Sequence, residues 1–418
     1  LGHRFFIRLY LFSLAVQWGV TLVAHVYSPR PVLPDSQSYD TVGKALASAW
    51  GTEGFRFDRL ASLCGTTTWG TYVFFGVAYR WIGSNWLYPK LAIGLVAATT
   101  AVSIAALASR CGLPDRHARV VGIAVGLYPT ALLWTAIGLK DSLVAAMAFG
   151  VLALQAVWPG LSGGIIIVAG SAVLLPFRPV MSGALLVSAL LRSRQARDST
   201  ASRGLYLVAA LVIGLILIVP SGQRLADGVS AAQTAGEAPV TGNARSSQPL
   251  APAQLVRGAM GPFPWSWDDA SATTFRWVYP GMVVWILLLP LAFLGGRQAA
   301  KTSPLARQLS AFVIIYLVAY YATFSAGFFR QRTAIEPIAL LFAAIYAAAR
   351  PRTIWPIVST WVVIVAGFAI VQSRVVSPKV LVVVILALVP IGLIRGTWRL
   401  RTRRTISSTR TGEPHPIT

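Results

Sequence analysis

Asp35 stands in the polar run Pro34-Asp35-Ser36-Gln37-Ser38-Tyr39-Asp40, directly after the first long apolar stretch of the chain. If that run winds into a helix at about 100° per residue, Asp35, Ser38 and Tyr39 share a face and Asp40 points elsewhere. A carboxylate so placed takes the proton of a hydroxyl as the oxygen attacks. The same position, after a proline and before Ser-Gln-Ser, also suits a helix N-cap, a purely structural role. Further groups of the same kind recur at Lys140 with Asp141, at Arg178, and at Arg330 with Arg332. A guanidinium meets a phosphate bidentately and an ammonium meets it as a point charge; both offset the charge that builds on a departing phosphate. Each group has a plainer reading as well. Asp141 caps the helix it opens, Lys140 snorkels to an interface, Arg178 satisfies carbonyls freed by a helix break, and Arg332 pairs with Glu336 four residues on. Trp265 and Trp267 form either an interfacial belt or a platform for a sugar ring. Asp268 and Asp269 are a weak pair for a divalent cation, and no metal site is assigned to them.

These groups are carried by a largely apolar chain. Of 418 residues, 56% are hydrophobic and 12% charged, far from the soluble average and in line with a polytopic membrane protein. A net charge of +23 would point to nucleic acid in a soluble protein. Here the basic residues sit in short segments between apolar spans and in the C-terminal tail, so membrane topology accounts for them and a nucleic-acid partner is not implied. Arginine far outnumbers lysine, and Ala, Val, Gly and Leu are abundant, which points to a GC-rich bacterial source. Spans are expected at 9–27, 86–109, 120–134, 142–157, 205–219, 278–294, 311–324, 335–349, 354–371 and 380–394. A half-length pair, 165–175 and 180–191, flanks Pro176-Phe177-Arg178-Pro179. The expected fold is therefore an all-α bundle of about twelve transmembrane helices.

His3, Arg4 and Arg8 precede the first span, which places the N-terminus in the cytoplasm, and about twelve spans return the C-terminus to the same side; the first span lacks a small-residue cleavage pattern and is expected to be a retained helix. The aromatic stretch 69–83 is then an interfacial helix in the outer loop 28–85, because a crossing there would put the basic loop 110–119 outside. The longest outer loop is 221–276, and the loop 297–307 is cytoplasmic. Residues 1–396 read as one membrane domain and 397–418 as a basic cytoplasmic tail. Cys64 and Cys111 fall on opposite sides of the membrane in this layout, so no disulfide is expected. All the candidate groups fall on the outer side.

In this arrangement the chain resembles the GT-C superfamily of polyprenyl-phosphate-sugar glycosyltransferases, which includes bacterial aminoarabinose transferases and protein mannosyltransferases. The resemblance rests on Asp35-Ser36-x-x-Tyr39 after the first span and the interfacial helix ending at Gly83. It extends through Leu127-Tyr128-Pro129 leading to Lys140-Asp141, the Arg178-Pro179 break, and Phe329-Arg330-Gln331-Arg332 ahead of Pro337. It implies that Asp35 is the catalytic base, that Asp141 helps acceptor or metal binding, and that Arg330 and Arg332 contact the donor phosphate; the reading adopted has Asp141 orient the acceptor and adds Lys140 and Arg178 to the phosphate-holding groups. Tyr39, Trp265 and Trp267 are the expected sugar or acceptor contacts. The chain departs from the family pattern where Ser36 replaces a second acid and where Thr66-Thr67-Thr68-Trp69 replaces a Pro-Pro sequence. The expected activity is inverting, metal-independent transfer of one sugar from a polyprenyl monophosphate to a cell-envelope acceptor outside a bacterial plasma membrane. The competing expectations are a polymerase or ligase using a polyprenyl-diphosphate oligosaccharide, and a non-catalytic flippase or assembly partner.

Overall fold

The structure is a computed structural model that describes residues 1–31, 33–56, 63, 68–195, 204–208, 279–324 and 332–373. Trp265, Trp267, Asp268, Asp269, Arg330, Cys64, most of the expected span 205–219, the loop 221–276, the span 380–394 and the basic tail lie outside the described residues. Among the described residues every regular element is helical. Five helical runs are long and apolar enough to cross a membrane: His3–Tyr27, Leu87–Arg110, Asp115–Ala136, Lys140–Val157 and Pro280–Thr302. Five shorter apolar helices accompany them. The chain divides into two units, Leu1–Ala348 and Ala349–Thr418.

Helix α1 (His3–Tyr27) shows why this is a fold for lipid. Its buried positions are Leu9, Ser13, Gln17 and Thr21, one every four residues, whereas Leu11, Phe12, Leu22 and Val23 are exposed. The polar stripe faces the protein and the apolar stripe faces out, the reverse of a water-soluble helix. The helix begins at His3, so His3, Arg4 and Arg8 are part of it and do not precede it. Next, α2 (Pro34–Glu53) and α3 (Gly70–Trp81) pack closely together. Their approach depends on Gly43, because a Cβ there would come within 2.7 Å of Phe75 Cβ. At 12 residues, α3 is far too short to cross a bilayer.

The long runs are interrupted where the sequence offers a reason. Asp115–Ala136 comprises α6 (Asp115–Gly126) and α7 (Pro129–Ala136), broken at Leu127-Tyr128 because the residue before a proline disfavours helical geometry. Leu87–Arg110 comprises α4 (Leu87–Ala97) and α5 (Thr99–Arg110). After α8 (Lys140–Val157), α9 (Leu161–Leu174) and α10 (Pro179–Gln195) form the expected short pair around Pro176-Phe177-Arg178. Then α11 (Tyr279–Thr302) runs into α12 (Pro304–Phe324) through Ser303 alone. The expected loop 297–307 is therefore helix on both sides of one residue, with Arg297 and Lys301 on the last turns of α11. The unit closes with α13 (Glu336–Ala349). The second unit contains a 3-10 turn, Pro351–Thr353, and α14 (Ile354–Ser373).

Candidate functional site

The start of α2 is organised by Ser36, which is fully buried. Its hydroxyl accepts from the Leu33 amide at 3.1 Å and donates to the Leu33 carbonyl at 2.8 Å. Asp35 is thus not the N-cap. It sits in the first turn, partly exposed, where the unpaired amides of a helix start favour a negative charge. One turn on, Tyr39 is buried against the rings of Tyr72 and Phe75, each at 5.6 Å. Asp40 does leave that face, as the helical spacing predicts, and meets partners of its own. Its carboxylate accepts from the Tyr79 hydroxyl, and Lys44 Nζ reaches both its oxygens at 2.9 Å. Burial, aided by the bond to Asp40, raises the Tyr79 phenol far above its ordinary range, so it remains a donor.

The second cluster starts from the turn before α8. Gly138 has φ +74, and a Cβ there would fall 2.6 Å from the Trp86 indole, so only glycine fits. This turn delivers Lys140 and Asp141 in opposite directions. Lys140 Nζ lies 5.9 Å from the centre of the Tyr39 ring. Asp141 is 0% exposed, and its Oδ1 accepts from Arg178 at 2.6 Å. Arg178 also donates to the Tyr316 hydroxyl at 3.1 Å. The pair clamps the start of α8 to the 175–178 break, whose Pro176 carbonyl accepts from the Gly70 amide at the head of α3. Arg332 bonds the buried Glu336 through Nε at 3.2 Å and lies 4.8 Å over the Trp285 ring. Next to it, the Thr333 hydroxyl accepts from Trp134 Nε1 at 2.8 Å. Tyr39, Trp86, Trp134, Leu139 and Met282 belong to one apolar cluster, which brings these segments to the same end of the bundle.

The structure therefore divides the candidates into two kinds. Tyr39, Lys140 and the turn bearing Asp35 come together. Arg178 and Arg332 are each occupied by a buried carboxylate, so a phosphate would have to displace an ion pair to reach either one. Asp141 is likewise enclosed, and its geometry fits clamping the fold better than orienting an acceptor. The plain i, i+4 reading of Arg332 with Glu336 matches the geometry, although the pair is buried and not on a surface.

Sequence reasoning missed Lys90. It is 1% exposed within the long apolar run Leu87–Arg110, and its Cγ packs against Gly138, on the turn that ends in Lys140. Among the described residues it has no ion-pair partner. The available signal was Tyr88-Pro89-Lys90 at the head of an apolar span, since an ionisable residue inside such a run costs about 2.5–3.5 kcal/mol and needs a reason to persist. Asp40 was noticed but given no role. Among the described residues no group of three His, Cys, Asp or Glu side chains could hold a metal ion.

No protein-family model, curated protein or solved structure matches this chain.

Proposed function

We propose that this chain is a membrane glycosyltransferase that moves one sugar from a polyprenyl monophosphate to an acceptor hydroxyl of the cell envelope. The observation that carries the reading is the position of the Lys140 ammonium over Tyr39, one helical turn from Asp35. It joins the carboxylate end of α2 to a cation from a segment about a hundred residues away, and sugar transfer from a phosphate needs both at one place. Asp35 takes the proton of the acceptor hydroxyl, the oxygen bonds to the anomeric carbon, and the bond from that carbon to the phosphate oxygen breaks. Lys140, with Lys90 of α4 packed against the same turn, balances the charge left on the lipid phosphate, in a setting where low polarity strengthens the attraction. Arg178 and Arg332 hold the frame, the first through Asp141 and the second through Glu336. Tyr39 forms the aromatic floor beneath Lys140. In this reading the site lies on the outer face of a bacterial plasma membrane, in a multi-pass bundle with both termini inside, and the resemblance to GT-C enzymes supports it.

The test is transfer of radiolabelled sugar from polyprenyl-phosphate donors in membranes containing wild type, Asp35→Asn or Lys140→Gln, at matched protein levels. Asp35→Asn is expected to lose at least about a hundredfold in rate, the lower range for general-base catalysis. Undiminished transfer would remove Asp35 from the chemistry and favour the polymerase or assembly-partner readings.

A further inference from the structure

A second feature of α2 takes no part in that chemistry. On the face away from Asp35, Gln37, Asp40, Thr41 and Lys44 follow at i, i+3, i+4 and i+7, so their side chains form a single polar row. The row opens on a cleft of about 560 Å³, closed on other sides by Pro29-Arg30-Pro31 and by Trp86. That volume lies within the range of small-ligand sites. The hydrogen-bonding capacity of the cleft is unbalanced. Asp40 is already engaged by Tyr79 and Lys44, whereas Arg30 has no ion-pair partner among the described residues. With one carboxylate against two cations, the cleft carries one surplus positive charge, and its donors outnumber its acceptors. Two prolines flank Arg30 and restrict the backbone on either side, which lowers the entropic cost of presenting its guanidinium.

We propose that this cleft binds a sugar unit bearing one anionic group, a carboxylate or a phosphate. Arg30 meets the charge, and Gln37, Thr41 and the Asp40–Lys44 pair meet the ring hydroxyls. Amide, hydroxyl and ion-paired groups in a row offer both donors and acceptors at the spacing of a helix turn, which suits a polyhydroxylated ligand and is more than a bare anion needs. Trp86 connects this cleft to the proposed reaction centre: it lines the cleft, and its indole also packs on Gly138 two residues before Lys140. If the glycosyltransferase reading holds, the ligand is the acidic sugar of the acceptor; that assignment rests on that reading, whereas the binding itself does not.

The experiment is a saturation-transfer NMR titration of the full chain in detergent with methyl glucuronide, glucose 6-phosphate, methyl glucoside and inorganic phosphate. One of the two charged sugars is expected to bind at least about tenfold tighter than methyl glucoside and inorganic phosphate, as a charge-assisted hydrogen bond implies. Which of the two wins distinguishes carboxylate from phosphate. Arg30→Gln should reduce that ligand to the level of methyl glucoside, and Thr41→Val should weaken all the sugars without changing their order. Both positions are exposed, so neither variant threatens folding. Equal binding of methyl glucoside, equal binding of inorganic phosphate, an unaffected Arg30→Gln or no binding at all would each overturn the proposal. Asp35→Asn should bind the charged sugar as wild type does. Binding with no transfer activity in any variant removes the transferase reading and keeps the cleft; transfer that depends on Asp35 without charged-sugar binding does the reverse.

Discussion

Two buried polar clusters lie along the packed helices α8, α10 and α12, and they are built on different principles. At one end Asp141, Arg178 and Tyr316 form an ion pair with a phenol attached. Fourteen residues further along α8, about 21 Å away at 1.5 Å per residue, Gln155 belongs to a chain of directional hydrogen bonds. Arg192 donates to Gln308 at 3.1 Å, Gln308 donates to Gln155 at 2.6 Å, and Gln155 donates to the Tyr206 hydroxyl at 3.3 Å. The first cluster neutralises charge and fixes the turns that present Lys140. The second connects helices through amides that both give and accept, and among the described residues no carboxylate meets Arg192. Within these two clusters, charge is cancelled between Asp141 and Arg178 and left positive at Arg192.

The largest effect should come from splitting the ion pair. Arg178→Ala leaves a buried carboxylate alone and should cost about 3–5 kcal/mol in thermal unfolding in detergent. The double change Asp141→Leu with Arg178→Met should recover most of that loss, because two apolar side chains leave no buried charge. A double variant as unstable as the single one would mean that the pair holds more than its own charges.

Gly138→Ala ranks next, at about 2–4 kcal/mol, since it combines a left-handed backbone with a clash against Trp86. Its unfolding midpoint should fall and its sugar transfer should fall further, because the same turn carries Lys140. At the amide end Gln308→Leu strands both the Arg192 donor and the Gln155 carbonyl and should cost about 1–3 kcal/mol, again by thermal unfolding. Transfer should persist there once the protein is folded; a loss as deep as that of Gly138→Ala would erase the distinction between the two ends.

The smallest effect concerns Cys111, in the loop between α5 and α6, whose surroundings include Ser303 and Arg192. Burial pushes its thiol up to about 12, although Ser303 and Arg192 act in the opposite direction. A raised thiol pKa means that the folded state holds its proton longer than the unfolded chain. The associated stability is complete below the ordinary value of 9.0 and is lost as pH rises from there to about 12. Alkylation by iodoacetamide should therefore be slow at pH 8 in the folded protein and, although about tenfold faster at pH 9 as the thiolate fraction rises, still far slower than in the unfolded chain. Rapid labelling at pH 8 would show that this end is open to water.

Much of the frame was legible from residue order. Apolar run lengths, Pro129 after Leu127-Tyr128, and the Pro176-to-Pro179 break located helices and interruptions because those signals are local. Helix spacing alone separated Asp40 from the Asp35 and Tyr39 face. The ends of α11 and α12 were misjudged because basic side chains do not stop a helix; they extend from its last turns into a more polar layer. Asp35 was open to reading as a cap, and only the structure shows Ser36 doing that work from two positions inside the helix.

What the sequence determined by itself is a chain of apolar helices that must satisfy their own backbone, with a small set of charged residues at their ends. Helical spacing pairs Arg332 with Glu336, but which distant charges meet was decided by tertiary structure. Asp141 and Arg178 lie 37 residues apart, and nothing local indicates that they cancel each other while Lys140, the neighbour of Asp141, turns to Tyr39. A buried ion pair between distant residues forms only where their two segments meet within about 3 Å in a low-polarity interior. Run length, composition and spacing carry no information about that meeting.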